Sequence, residues 1–177
     1  MSDTEDKKIV QQVLNGDTMA FAKLIERHQG RVYSLSLRMT GSVEDAKDIT
    51  QNVFLKVYSG LSRYNQDFKF FSWLYKSAIN ESINHIKSNK FHKLSLTIDI
   101  PHEETAEAEI IKDERKEIVQ DSVMKLKPKY RALIVLKYFE EMSYKEICTL
   151  TGLSMKKVRS RLFEARNLLR KSLNRQI

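Results

Sequence analysis

The residues with the clearest chemical purpose lie between Ser143 and Arg170. Tyr144, Ile147 and Leu150 recur at helical spacing, Thr151-Gly152-Leu153 supplies a turn, and Ser154 is placed to cap a second helix. On that second helix Val158, Leu162, Ala165 and Leu169 share one side. Lys156, Ser160, Phe163 and Asn167 point the other way, with Lys157, Arg159 and Glu164 on the flanks. A helix, a short glycine-containing turn and a second helix form the unit that sets a helix N-terminus into a DNA major groove. Arg and Lys at that end reach guanine edges, and Ser reaches a base or a phosphate. A structural hairpin with a charged outer face has the same pattern, so the arrangement alone leaves both readings open.

A second cluster runs from Tyr64 to Lys87. Aromatic residues crowd its start: Tyr64, Phe68, Phe70, Phe71, Trp73 and Tyr75. Phe71, Leu74, Tyr75, Ala78, Ser82 and Ile86 form one mostly apolar helical face. Trp73, Lys76, Asn80, Asn84 and Lys87 form the opposite one. Aromatic rings beside amide and ammonium groups suit single-stranded nucleic acid, whose bases stack and whose backbone attracts cations. The alternative is that Trp73 packs under the Tyr64–Phe70 loop as part of a core. A third polar face, on the helix capped by Ser42, carries Asp45, Asp48, Gln51, Asn52 and Lys56 beside Phe54 and Leu55, which are expected to be exposed or half-exposed. It suits a partner helix, or plain solvent.

Catalysis finds no such grouping. There is no glycine-rich phosphate loop and no zinc-like Cys/His spacing, and His28, His85, His92 and His102 are scattered. No cofactor is expected. Cys148, the one cysteine, excludes an intrachain disulfide and suits a reducing compartment.

These faces need helices to carry them. With 5 Gly and 2 Pro in 177 residues, the chain lacks the turns a sheet-rich fold requires, and an all-α fold is expected. The net charge of +8 is uneven: residues 122–177 hold 14 basic and 4 acidic side chains, residues 99–121 hold 3 and 9. A basic C-terminal third suits nucleic acid. The acidic stretch around Pro101 reads as a flexible linker between two small helical domains, at residues 1–95 and 115–177. The N-terminal helices are expected over Glu5–Asn15, from Asp17 to Gly41, from Ser42 to Gly60 and from Lys69 to Lys87. The C-terminal ones are expected over Ile110–Leu126, Pro128–Phe139, Tyr144–Leu150 and Ser154–Leu173. Leu94 to Ile100 alternates with period two and reads as an extended segment. No apolar run approaches the roughly 20 residues that span a bilayer, and the polar, acidic start from Met1 to Lys8 is unlike a secretory signal. A cytoplasmic protein without membrane insertion is expected.

Several motifs in order resemble one family. Asp45-Ala46-Lys47-Asp48-Ile49-Thr50-Gln51-Asn52-Val53-Phe54-Leu55-Lys56-Val57-Tyr58 is similar to region 2.2 of bacterial sigma-70 factors. Phe71-Ser72-Trp73-Leu74-Tyr75-Lys76-Ser77-Ala78-Ile79-Asn80 is similar to their promoter-melting segment, and Leu126 to Arg131 with Ser143 to Leu162 is similar to region 4. Two domains without a third resemble the extracytoplasmic-function (ECF) subgroup.

The resemblance implies a non-enzymatic initiation subunit. Asp45, Asp48, Gln51, Asn52, Phe54 and Lys56 would dock on the clamp helices of the largest subunit of core RNA polymerase. Tyr64, Phe68, Phe70, Trp73, Lys76, Asn80, Asn84 and Lys87 would take the melted −10 strand. Arg131, Lys145, Lys156, Lys157, Arg159, Ser160 and Phe163 would contact the −35 duplex. The acidic linker, Thr97 to Lys112, would thread towards the polymerase active site. An anti-sigma factor is a further partner this layout allows. Two other readings stay open: a free-standing helix-turn-helix regulator, and a helical protein that binds only other proteins.

Overall fold

A computed structural model describes residues 3–95 and 114–174, and every described regular element is helical. The N-terminal half holds α1 (Asp3–Leu14), α2 (Phe21–Thr40), α3 (Val43–Ser59) and α4 (Phe70–Ser95), with short 3-10 turns at Thr18–Ala20 and Leu61–Arg63. The C-terminal half holds α5 (Glu114–Met124), α6 (Pro128–Ile134), α7 (Tyr144–Thr151) and α8 (Met155–Leu173).

Local chemistry accounts for most boundaries. Ser42 Oγ accepts the Asp45 amide at 3.2 Å and starts α3, where Glu44 and Asp45 also face the positive end of the helix. Gly41 closes α2 in the left-handed region at φ 75°, which a residue with a Cβ adopts at a cost. Three boundaries differ from the sequence reading. Asp17 caps the 3-10 turn, accepting from the Ala20 amide, so α2 begins only at Phe21. No Gly or Pro interrupts α4 after Lys87, and it continues to Ser95; of the stretch expected to be extended, Leu94 and Ser95 are therefore helical and the rest lies outside the described residues. Pro128 opens α6 as expected, but the helix widens into a π turn over Val135–Phe139, with the Glu140 amide bonding back to the Val135 carbonyl at 3.0 Å.

The core is continuous through both halves. Leu24, Leu35, Met39, Ile49, Val53, Leu74 and Tyr75 fill the N-terminal bundle, and Leu133, Leu136, Ile147, Val158 and Leu162 fill the other. The halves are tied by specific contacts. Met124 packs on Gly41 so closely that a Cβ there would lie 2.8 Å from its methyl carbon. The Arg38 guanidinium sits 4.8 Å over the Phe139 ring, and the Tyr75 hydroxyl bonds to Glu140. Arg131 is the deepest tie. It is 6% exposed and donates to the carbonyls of Met39, Met124 and Leu126. This corrects its assignment to duplex DNA, because a buried guanidinium spent on three carbonyls is not presented at the surface.

Candidate nucleic-acid interface

The turn between α7 and α8 is built by small, local bonds. Ser143 and Glu146 form a capping box, with the Glu146 amide donating to Ser143 Oγ at 3.2 Å and the Ser143 amide to Glu146 Oε2 at 2.9 Å. These hydrogen bonds hold the Glu146 carboxyl below its ordinary pKa. Gly152 turns the chain at φ 70°, and Ser154 Oγ accepts the Lys157 amide to start α8. Val158, Leu162 and Ala165 are buried, so the rotation of α8 is fixed. Lys156, Lys157, Arg159, Ser160 and Phe163 are all exposed on its first half, and Lys145 is exposed on α7. Phe163 is 61% exposed, an apolar ring on a basic face that suits a thymine methyl.

At the start of α4 the aromatic residues separate into two roles. Phe70 is fully buried, with the rings of Tyr64, Trp73 and His28 within 6.0 Å of its own. It is a packing residue, which corrects its placement among the base-stacking aromatics. Trp73 is half-buried. Its ring stacks on Tyr64 at 5.2 Å and packs over Gly60, and it also lines an open pocket of about 220 Å³. Arg63, Tyr64, Asn65, Phe68, Ser72 and Lys76 line the same pocket. Tyr64 donates its hydroxyl to the Phe68 carbonyl, and burial raises its pKa to about 12, so that proton stays in place. Phe68 is 53% exposed at the loop tip. Lys76, Asn80, Asn84 and Lys87 follow along the exposed side of α4. The far wall of the pocket belongs to α7, through Thr149 and Leu150.

The face on α3 also divides. Asp45 lies 2.9 Å from His85 and Lys56 pairs with Glu81, so these two charges tie α3 to α4. Asp48, Gln51 and Asn52 are exposed. Phe54, expected at the surface, is 6% exposed because the Phe21 ring packs against it edge-on at 6.4 Å. Sequence reasoning missed what lies beside it. Met19, Phe21, Ile25, Gln51, Phe54, Leu55 and Tyr58 line a largely apolar groove of about 550 Å³. The groove needs the 3-10 turn at Thr18–Ala20, which carries Met19 up beside α3, and no local pattern signals that. Among the described residues no group of His, Cys, Asp and Glu is placed to hold a metal ion, and no helix is long and apolar enough to cross a membrane.

Two family descriptions match the chain in the order of these faces: Sigma-70 region 2 over residues 24–92 and Sigma-70 region 4 over residues 116–169. The ECF RNA polymerase sigma factor SigW of Bacillus subtilis is 32% identical over 94% of this chain and 96% of its own length. The chain belongs to the ECF sigma factors. The ECF RNA polymerase sigma-E factor of Escherichia coli is 30% identical to it, over 93% of this sigma factor and 92% of that one. Among solved structures, CnrH in complex with the cytosolic domain of CnrY superposes with a TM-score of 0.70 at 25% identity. That match covers 97% of this sigma factor and 99% of that chain.

Proposed function

We propose that this sigma factor carries core RNA polymerase to a set of promoters, reads their −35 and −10 elements and helps open the DNA. It is an initiation subunit and not an enzyme; the polymerase performs the chemistry. The observation that carries the reading is the pairing, on one chain, of an open aromatic pocket at the head of α4 with an exposed basic α8 behind a capped turn. A melted strand and an intact duplex need different surfaces, and the chain has one of each.

Residues 1–95 then dock on the polymerase and capture the non-template −10 strand, and residues 115–177 bind the −35 duplex. In the pocket, an unstacked base lies against Tyr64 or Trp73, with Phe68 as a further platform and Lys76 near its phosphate. Asn80, Asn84 and Lys87 continue that track. On the duplex, Lys156, Lys157, Arg159, Ser160 and Phe163 enter the major groove, while Lys145 meets backbone. Polymerase docking uses Asp48, Gln51 and Asn52 together with the apolar groove beside Leu55, an arrangement that accepts an amphipathic helix. The acidic linker, Thr97 to Lys112, threads towards the polymerase active site. Such a protein works in the cytoplasm, with its polymerase. The likeness to CnrH bound to CnrY supports a further protein partner that sequesters the free chain, in the manner of an anti-sigma factor.

Run-off transcription with purified core polymerase tests the reading. Promoter-specific transcripts that depend on this chain are expected. Tight duplex binding without polymerase, and no transcript with it, favours a free-standing regulator instead.

A further inference from the structure

The −10 pocket is framed by the loop from Asn65 to Lys69, which leads straight into α4. The loop leaves α4 without a local cap. The residue ahead of Phe70 is Lys69, whose ammonium only donates, so it cannot take a free amide of the first turn. The acceptor comes from elsewhere: the Phe70 amide donates to Asp3 Oδ1 at 3.1 Å, across 67 positions of sequence. A carboxylate there also faces the positive end of a 26-residue helix.

A second bond joins the same two elements. Gln66 Nε2 donates to Gln11 Oε1 at 3.1 Å, and the Gln11 amide nitrogen is itself directed at Asn15 Oδ1 at 3.1 Å. Helix α1 therefore grips the loop near its start and where α4 begins, leaving Phe68 exposed between. The helix is in turn anchored. Ile9 and Val10 are buried, and Asp6 lies 3.0 Å from His28 and 3.2 Å from Arg27 on α2.

From this geometry we infer that α1 is the brace of the −10 pocket and that Asp3 is a positioning residue for strand capture. Gln11 acts with it through Gln66. Neither touches the strand; they set where Phe68, Tyr64 and Trp73 stand. The inference rests on reading the pocket as the −10 site.

The test uses holoenzyme assembled from core polymerase and the full chain. It is incubated with short single-stranded DNA of randomised sequence and, separately, with randomised duplex, and the captured DNA is sequenced. Asp3→Ala should lower enrichment of the favoured single-strand bases about fivefold, the equivalent of losing one helix cap. Asp3→Asn keeps an acceptor and should restore most of it. Gln11→Ala should act in the same direction. Duplex enrichment and core affinity should stay at the wild-type level. Trp73→Ala runs alongside. If it flattens base preference while Asp3→Ala does not, α1 is no brace and the inference falls alone. If Asp3→Ala weakens core binding or duplex reading equally, Asp3 is merely structural. If Trp73→Ala leaves base preference intact, the pocket reading fails and takes the inference with it.

Discussion

The Tyr75 hydroxyl, in the middle of α4's buried face, donates a hydrogen bond of 2.8 Å to the Glu140 carboxylate, 65 positions away at the end of the π turn. Burial, above all, raises the Tyr75 pKa, so the phenol keeps the proton it donates. This bond joins α4 to the C-terminal half. Tyr75→Phe preserves the ring and removes only the donor. Loss of a bond to a charged acceptor should cost about 1.5–3 kcal/mol of stability in the free chain. Thermal melting, with energy transfer between dyes on α3 and α8, reads the effect. Unchanged melting and unchanged distance mean that the bond holds nothing together.

Buried His28 makes the fold sensitive to mild acid. Its pKa is lowered, chiefly by burial, although Asp6 beside it pulls the other way. In the unfolded chain the imidazole takes a proton near pH 6.5, and in the folded chain it does so only at lower pH. Its contribution to stability is therefore complete above about pH 6.5 and is lost as pH falls below that value. Melting temperature should drop on acidification, and His28→Gln should flatten the slope. Parallel slopes for the two proteins refute this.

Removing Arg131 should damage the fold rather than DNA binding. Arg131→Met leaves three carbonyl groups, two of them buried, without their donor and should cost about 2 kcal/mol or more. The salt dependence of duplex binding by the folded fraction should be unchanged. A slope lower by about one would return Arg131 to the phosphate contacts.

Leu55, 65% exposed on the rim of the α3 groove, offers a direct probe of polymerase docking. Leu55→Asp should weaken core binding about tenfold or more, since a charge there must be desolvated under a docked helix. Asp48→Lys with Gln51→Ala should act in the same direction. All three positions are exposed, so stability should hold. Pull-down with core polymerase decides the matter, and full retention removes the groove from the interface.

Arg159 tests duplex reading. If it meets a guanine edge, Arg159→Ala should cost about 1–3 kcal/mol and relax preference at one −35 position. Lys145→Ala should instead weaken all duplexes nearly alike, because a phosphate contact carries no sequence information. Holoenzyme binding to a −35 panel at two salt concentrations separates them. No effect of Arg159→Ala on any promoter takes it out of the groove.

The helix-turn-helix was legible from sequence because its determinants are local. Ser143, Glu146, Gly152 and Ser154 act within three or four residues of themselves, and Val158, Leu162 and Ala165 keep strict helical spacing. The errors fell where distant residues decide. Phe54 looks free on a helical wheel, yet Phe21 from the preceding helix covers it. Phe70 falls at the expected start of its helix beside other aromatics, yet rings from α2 and the loop bury it completely. Arg131 carries a charge, and composition places charges at the surface; one of its acceptors lies 92 positions upstream. Asp3 is another such case, a cap supplied from the far end of the domain.

The packing of the two halves has a consequence for distance. Elements named for positions −35 and −10 lie about 25 base pairs apart, roughly 85 Å along B-form DNA. Yet Asn80 of α4 and Arg161 of α8 line a single crevice, so the molecule as folded cannot straddle that length. Between Ser95 and Glu114 lie eighteen residues, which at full stretch reach roughly 60 Å. The stretch of α4 from Asn80 to Ser95 adds about 20 Å. Those two lengths together only just match the interval. A promoter contacted at both elements therefore requires the Tyr75–Glu140 bond to open, and the number of residues between Ser95 and Glu114 then limits the span.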